Sequence, residues 1–138
     1  SCTCHKIKYE LRLASDNEAR TSLCHYRIHQ NAFGTEFGST SKVPGNAFHI
    51  SNGLPREHAA DNGSAVMIHR EFCNTCGSFI LEYEEAVNDY FRYISVETLD
   101  DPEALPPQGG MFLRGSRKLD AWNNKSMDYV IVNTMCAD

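Results

Sequence analysis

Four cysteines at two points of the chain have the types and spacing of a metal site. Cys73 and Cys76 form a C-x2-C knuckle followed by Gly77, and a tight turn of this kind lets two thiolates face one ion about 2.3 Å away. Cys2 and Cys4 have one residue between them, so their sulfurs share a face of an extended segment. The two pairs together predict one four-thiolate Zn²⁺ site. Because such a site leaves no open position for a substrate, we expect it to be structural.

The alternative interpretation is that these cysteines are buried thiols or form disulfide bonds. The N-terminal sequence SCTCHKIKYE lacks the apolar region of a secretory signal, which counts against disulfide bonds. No run in the sequence approaches the roughly 18 apolar residues that a membrane span needs. We therefore expect a cytoplasmic protein, in whose reducing environment clustered cysteines are more often ligands than bridges.

The elements that must position these cysteines are predicted to be β-strands. The segments 65–72 and 78–85 flank the C-x2-C knuckle, which predicts a metal-bearing hairpin. The segment 6–13 alternates apolar and polar residues, which indicates a half-buried strand, and the polar segment 15–20 indicates a hairpin turn after it. Further strands are expected at the start of 21–29, in short pieces between 33 and 63, at 89–99 and at 127–135, with a short helical turn at 102–105.

Composition and charge favour one globular domain that spans residues 1–138. The chain has the length of a single compact domain, and 41% of its residues are hydrophobic. Because sustained 3.6-residue periodicity is nearly absent, the predicted fold is all-β, or at least β-rich. The formal charge of −5, without a basic run, argues against nucleic acids and anionic membranes as partners. The sequence leaves the oligomeric state open.

Four motifs together resemble a known family. They are S-C-x-C at the start, R-x-F-C-x2-C-G-S at 70–78, L-D-D-P-E at 99–103 and S-R-x4-W at 116–122. This combination is similar to the glutathione-dependent formaldehyde-activating enzyme (GFA) family, whose domain is shared with centromere protein V, over roughly residues 1–124. The resemblance implies an Mss4-like fold of small zinc-bound β-sheets, as in a Rab-binding nucleotide-release chaperone. It also implies that the same four cysteines bind the structural zinc.

The resemblance further implies a second, catalytic zinc, which the family holds on a C-x-C-x2-C motif beside a glutathione pocket. In this chain the matching stretch keeps only its first thiolate, Cys24, and has Tyr26 and His29 at the other two positions. His5 likewise replaces the family's glycine after the first C-x-C. These departures argue against glutathione-dependent formaldehyde chemistry and predict a changed substrate. They mark Cys24, Tyr26 and His29 as the candidate catalytic residues.

Four interpretations of this altered site remain open. Cys24 and His29 could hold a second zinc, completed by Tyr26, His25, His5 or water, that acts as a Lewis acid. Without a metal, Tyr26 and His29 could act as general acid and base. Cys24 could instead attack an electrophile with His29 as its base. The pocket could also be inactive, as in a non-catalytic, zinc-stabilised binding module.

The sequence therefore predicts an enzyme that performs lyase, isomerase or cyclase chemistry on a small organic molecule, such as a biosynthetic intermediate. A glutathione-dependent carbon–sulfur lyase acting on an aldehyde adduct is the alternative that the resemblance implies. Arg70 and Arg117 are predicted either to bind a substrate carboxylate or to form structural pairs. Three further predictions follow from side-chain type. The acidic residues are expected to form a solvated face (Glu82, Glu84, Glu85), and the large aromatic residues are expected in the core (Tyr90, Phe91, Tyr93, Trp122). Cys136 is expected to be a free thiol.

Overall fold

Nine β-strands and one α-helix lie within residues 1–63 and 65–112, the part of the chain that the computed structural model describes. The helix is α1 (Arg27–Phe33). The strands are β1 (Lys8–Leu11), β2 (Arg20–Cys24), β3 (Gly38–Pro44), β4 (Phe48–Asn52), β5 (Arg56–Asp61), β6 (Met67–Phe72), β7 (Phe79–Glu84), β8 (Phe91–Ser95) and β9 (Gly109–Met111). The predicted strand at 127–135, the motif at 116–122 and the residues Arg117, Trp122 and Cys136 lie outside the described residues.

Seven of these strands form one sheet in the order β5-β6-β7-β8-β3-β2-β9, and β1 and β4 form a separate two-stranded sheet. Strands β2 and β9 are parallel, whereas the other paired strands are antiparallel. The predicted β-rich fold is confirmed. The short helical turn predicted near 102–105 is confirmed as a 3-10 turn, Pro102–Ala104, whose first N–H groups are capped by Asp101.

The hairpin turn predicted after the first strand is wrong. Strand β1 pairs with β4, not with β2, and Tyr9 packs against Phe48 with ring centroids 4.8 Å apart. The polar segment contains a 3-10 turn, Asp16–Glu18, and leads the chain from the small sheet into the large one. A polar run shows where a strand ends but carries no information about which strand pairs with it.

The core lies where the two sheets meet and is centred on β7. Ile80 and Leu81 are consecutive in the sequence and both fully buried, so β7 is covered on both faces. Ile7 of the small-sheet region and Ile94 of β8 pack into the same buried cluster, which also contains Cys2 and Cys73. The predicted core position of Tyr90 is wrong, because this side chain is 75% exposed in the loop before β8.

The predicted hairpin around the C-x2-C turn is confirmed as β6 and β7. Its turn is closed by two backbone hydrogen bonds, from Cys73 N–H to Ser78 O at 2.9 Å and from Gly77 N–H to Cys73 O at 2.8 Å. Gly77 has a φ of +75°, a conformation that glycine adopts at little cost. The pairing along the strands places Arg70 directly opposite Glu82.

Helix α1 was not expected from the sequence. Tyr26 precedes its first turn, and Gly34, at φ +67°, ends it by donating its N–H to Gln30 O at 2.9 Å. At seven residues the helix is too short to be stable in isolation. Its stability comes from packing, since Phe33 lies against Phe79 with ring centroids 4.6 Å apart.

Candidate metal centre and active-site pocket

The predicted zinc ligands come together at the tip of the hairpin of β6 and β7. The Sγ atoms of Cys2, Cys4, Cys73 and Cys76 all lie within 4.8 Å of one another. Cys2 Sγ is 3.6 Å from Cys4 Sγ, which is 3.7 Å from Cys73 Sγ. Tetrahedral zinc with bonds of about 2.3 Å separates its sulfur ligands by about 3.8 Å. All four are free thiols, so this cluster is close enough to hold one metal ion.

Backbone turns on both sides hold these sulfurs in place. Ile7 donates its N–H to Cys2 Sγ at 3.2 Å, and His5 donates its N–H to Cys2 O at 2.9 Å. His5 has a φ of +58°, the left-handed conformation that favours glycine. A glycine at position 5 would adopt this conformation at little cost, whereas a histidine there carries some backbone strain.

The pKa values of Cys76 and Cys4 also bear on whether the cluster can bind a cation. Hydrogen bonds from the side chain and backbone of Ser78 lower the pKa of Cys76 to about 5. A hydrogen bond from the backbone of Lys6 favours the thiolate of Cys4, but burial and the three neighbouring sulfurs outweigh it and raise the pKa of Cys4 to about 11. Thiolates so close together repel one another, and a divalent cation removes that repulsion. The donor set therefore fits zinc.

A second cluster of chemical groups surrounds a pocket of about 160 Å³ beside α1. Cys24 is the last residue of β2, Tyr26 precedes α1 and His29 lies within the helix, and all three line this pocket. The three candidate residues that were predicted from the sequence therefore lie around one cavity. The helix that carries His29 was not predicted. The two other proposed ligands, His5 and His25, do not line it.

Glu82 is the central charged residue of this pocket, and it corrects the prediction of a solvated acidic face. Its side chain is 6% exposed, and each carboxylate oxygen has its own partner. Oε1 lies 2.7 Å from His29 Nε2, and Oε2 accepts a hydrogen bond from Arg70 Nε at 3.1 Å. A buried carboxylate needs such partners, since an unpaired charge would be costly.

Contacts with Cys24 and Glu82 determine the charge of His29. Burial lowers the pKa of His29, but hydrogen bonding to Cys24 and Glu82, together with their negative charge, outweighs burial and raises it to about 10. A ring with this pKa carries a proton at neutral pH, and in that form it can act as an acid. The other ring nitrogen, Nδ1, is buried and lacks a hydrogen bond of ordinary geometry within the described residues.

Tyr26 lines the pocket next to His29. Its hydroxyl donates a hydrogen bond to Asn62 O at 3.2 Å, and its ring lies 6.3 Å from that of His29 and 5.1 Å from that of Phe112. The phenol is thus held by one hydrogen bond and by aromatic packing. Tyr26 and His29 are both groups that can donate a proton or a hydrogen bond.

Within residues 1–63 and 65–112, the cysteine cluster is the one group of three or more His, Cys, Asp or Glu side chains whose ligand atoms converge within 4.8 Å. In the second pocket, Nε2 of His29 is already engaged by Glu82.

Sequence reasoning missed Glu82 as a site residue. Arg70 faces Glu82 across the hairpin, where opposite charges pair, but the register shifts between Glu71 and Phe72. Counting outward from the turn without that shift would place Arg70 opposite Leu81, so the sequence alone did not give this pairing. Asn62 had no comparable signal, because it lies in a loop whose path depends on tertiary packing.

Comparison with protein-family models identifies the relatives of the chain. The model of the glutathione-dependent formaldehyde-activating enzyme matches residues 1–115. The chain belongs to this family. GFA proteins are enzyme-associated, so membership indicates a GFA-type enzyme or zinc-binding domain. None of the curated proteins compared with the chain matches it significantly.

One solved structure supports the fold. The crystal structure of a Rhodobacter sphaeroides protein, a Northeast Structural Genomics target, superposes with a TM-score of 0.56 at 16% sequence identity. The match covers 76% of this chain and 92% of that one. At this identity the likeness shows the fold alone, and it agrees with the predicted β-rich, Mss4-like class. In the described part of the chain, no helix is long and apolar enough to cross a membrane.

Proposed function

We propose that this GFA-family chain is an enzyme that acts on a small organic substrate by acid–base catalysis in the second pocket. Zinc on the cysteine cluster stabilises the fold and takes no part in the reaction. The observation that carries this proposal is the buried pair of His29 and Glu82, with 2.7 Å between the imidazole nitrogen and the carboxylate oxygen. A protonated histidine held in place at the wall of a pocket is a general acid.

In this proposal His29 donates the proton and Tyr26 binds the substrate. Glu82 holds the ring through Nε2, so the proton that passes to a substrate oxygen leaves from Nδ1. This nitrogen is buried on a ring that also contacts Cys24, so substrate binding must open access to it. On substrate binding the Tyr26 hydroxyl exchanges its hydrogen bond to Asn62 O for one to the substrate oxygen on which negative charge develops. Isomerisations, cyclisations and eliminations require such proton transfers and no redox cofactor, so the reaction is lyase-, isomerase- or cyclase-type.

The volume of the pocket limits the part of the substrate that reacts there. About 160 Å³ is roughly five times the volume of one water molecule in the liquid, and smaller than the 300–1,000 Å³ or so that encloses a drug-sized ligand. The loss of two thiolates at positions 26 and 29 favours another substrate over a glutathione-dependent carbon–sulfur lyase reaction.

A non-catalytic binding module is the second candidate, and the pocket argues against it. Buried charges reduce stability unless they are paired, and a module that used only its surface would have no need of three ionisable side chains around a cavity. His29, Glu82 and Arg70 form such a group here. Strongly perturbed pKa values in a cleft are typical of active sites.

Zinc stoichiometry tests the proposal. Elemental analysis of the purified protein should give one zinc per chain, unchanged in Cys24→Ala and His29→Ala and lost in the control Cys73→Ser. Two zincs that fall to one in either pocket variant would overturn metal-free catalysis in favour of a Lewis-acid site. A wild-type protein without zinc would overturn the structural site.

A further inference from the structure

A second cavity adjoins the active-site pocket at Arg70. This outer groove has a volume of about 520 Å³, and residues of α1, β5, β6 and β7 line it, namely Ile28, Asn31, His58, Arg70, Phe72 and Phe79. Arg70 and Ile28 line both the pocket and the groove. Arg70 therefore borders both cavities, and a molecule in the groove can contact its guanidinium.

The guanidinium of Arg70 has donors to spare at this junction. Its Nε donates to Glu82 Oε2 at 3.1 Å, and within the described residues this is the only hydrogen bond that the side chain makes. The side chain is 12% exposed, so it is mostly buried but keeps some access to the surface. A planar guanidinium with two free terminal amino groups matches a carboxylate, which it can bind through two parallel hydrogen bonds.

The charges around the groove favour an anion at Arg70 and an apolar group beyond it. Among the described residues that line the groove, Arg70 alone carries a permanent charge, and none is acidic. Phe72, Phe79 and Ile28 make much of the remaining surface apolar. The inner pocket has charges of both signs, from His29 and from Glu82 and Glu84, whereas the groove has only that of Arg70 among its described lining residues. The favourable position for a carboxylate is therefore the junction itself.

We propose that the substrate is a small carboxylic acid, with its carboxylate bound by the terminal nitrogens of Arg70 and an apolar group in the outer groove. This inference rests on the proposed function, because it places the carboxylate beside the pocket in which His29 acts. Arg70 and His29 bind the two oxygens of the same Glu82 carboxylate, so the reacting atoms lie close to the carboxylate of the substrate. Arg70 is then a residue that determines specificity.

The test is a titration of the folded, zinc-loaded protein with phenylacetate and, separately, with phenylacetamide, followed by NMR of backbone amides. The two probes have nearly the same shape and differ in charge. We expect phenylacetate to bind at least about tenfold more tightly, with shifts at Ile28, Phe72 and Phe79, because a charge-assisted pair is stronger than a neutral hydrogen bond. Equal affinities, no binding of either probe, or shifts confined to another surface would overturn the proposal.

Two variants sharpen this test. Arg70→Lys keeps the positive charge beside Glu82 but removes the planar fork, so phenylacetate should bind about tenfold more weakly. Arg92→Lys is the matched control, because Arg92 lines neither cavity, and binding should not change. Unchanged binding to Arg70→Lys would overturn the role of Arg70. If Arg70→Lys does not fold, the proposal is tested by comparing the affinities of the wild-type protein for the acid and the amide.

The two proposals can fail separately. Probe binding reports the carboxylate subsite and requires no turnover, whereas zinc stoichiometry reports the kind of catalysis. Selective binding of phenylacetate by a protein with a second zinc would keep the subsite and remove the metal-free mechanism. Equal binding of acid and amide by a protein with one zinc would remove the carboxylate subsite and keep the metal-free mechanism.

Discussion

Glu82 Oε1 lies 2.7 Å from His29 Nε2, and the two side chains are only 6% and 16% exposed. They come from different elements, since Glu82 is on the central strand β7 and His29 is on α1. The short helix is therefore tied to the sheet by a charged contact inside the pocket. Because the same carboxylate also holds Arg70, the positions of the acid and of the junction arginine depend on one residue.

The charge of His29 should be observable directly. Its raised pKa, about 10, predicts an imidazolium at neutral pH, visible in the ¹⁵N chemical shifts of the ring. Replacing Glu82 with Gln removes a negative charge and should lower this pKa by at least about one unit. Glu85→Gln is the control, since Glu85 lies outside the pocket and its replacement should leave the shifts unchanged. A neutral ring in the wild-type protein at pH 7 would contradict the general-acid role.

Stability should depend on pH through the same residue. The pKa of His29 is raised from 6.5 to about 10, so its protonation stabilises the folded chain. This stabilisation is fully present below about pH 6.5 and is lost as the pH rises towards about 10. In urea unfolding, the difference in free energy between wild type and His29→Gln should be larger at about pH 6 than at about pH 10. A difference independent of pH would mean that the pKa of His29 is the same in the folded and unfolded states, which would contradict the raised value.

Removing a ligand from the cysteine cluster should affect the whole fold. Cys73 is 1% exposed and part of the buried core, so Cys73→Ser should lower the melting temperature and abolish the response to a chelator. Cys24→Ser is the matched control: Cys24 is equally buried but distant from the cluster, and EDTA should still lower its melting temperature. A chelator without effect on the wild-type protein would count against a structural metal.

The packing of α1 on β3 can be tested at Gly38. A Cβ at this position would lie 2.6 Å from Cε2 of Phe33, so Gly38→Ala should push the helix outward and destabilise the fold by about 1–3 kcal/mol. Combining it with Phe33→Leu removes the obstructing ring, and the double variant should recover part of the loss. Urea denaturation gives both values. Strict additivity of the two substitutions would show that these residues do not interact.

The Tyr26 hydroxyl should matter more for ligand binding than for stability. Tyr26→Phe removes one hydrogen bond to Asn62 O, a loss of about 0.5–1.5 kcal/mol in the free energy of unfolding. The control Tyr90→Phe alters an exposed ring and should have no measurable effect. A loss above about 3 kcal/mol for Tyr26→Phe would indicate a mainly structural role for this hydroxyl.

The sequence predicted those features that depend on local pattern. The C-x2-C knuckle and the alternating residues around it predicted the hairpin, and the resemblance predicted which residues share the second site. The predictions failed where the structure depends on contacts between segments that are distant in the sequence. The pairing of β1 with β4 and the burial of Glu82 both depend on the assembled sheets, and a run of three acidic residues within four positions is more often solvated.

The helix shows a different limit. Residues 27–33 have no capping side chain and no apolar stripe long enough to indicate a helix, so local propensity did not predict one. Packing of Phe33 on Phe79 and the charged contact of His29 with Glu82 compensate for this weak propensity. Both contacts link α1 to residues about fifty positions away, which a local pattern cannot show.

The hairpin of β6 and β7 has the cysteine pair at its tip and the pair of Arg70 and Glu82 in its stem. Side chains alternate between the two faces of a strand, so a slip of one residue would turn Glu82 away from His29. A metal that joins the tip to Cys2 and Cys4 fixes the register of the stem. Zinc binding and the position of the proton donor His29 would thus be coupled. A newly made chain without zinc would also lack a correctly positioned proton donor.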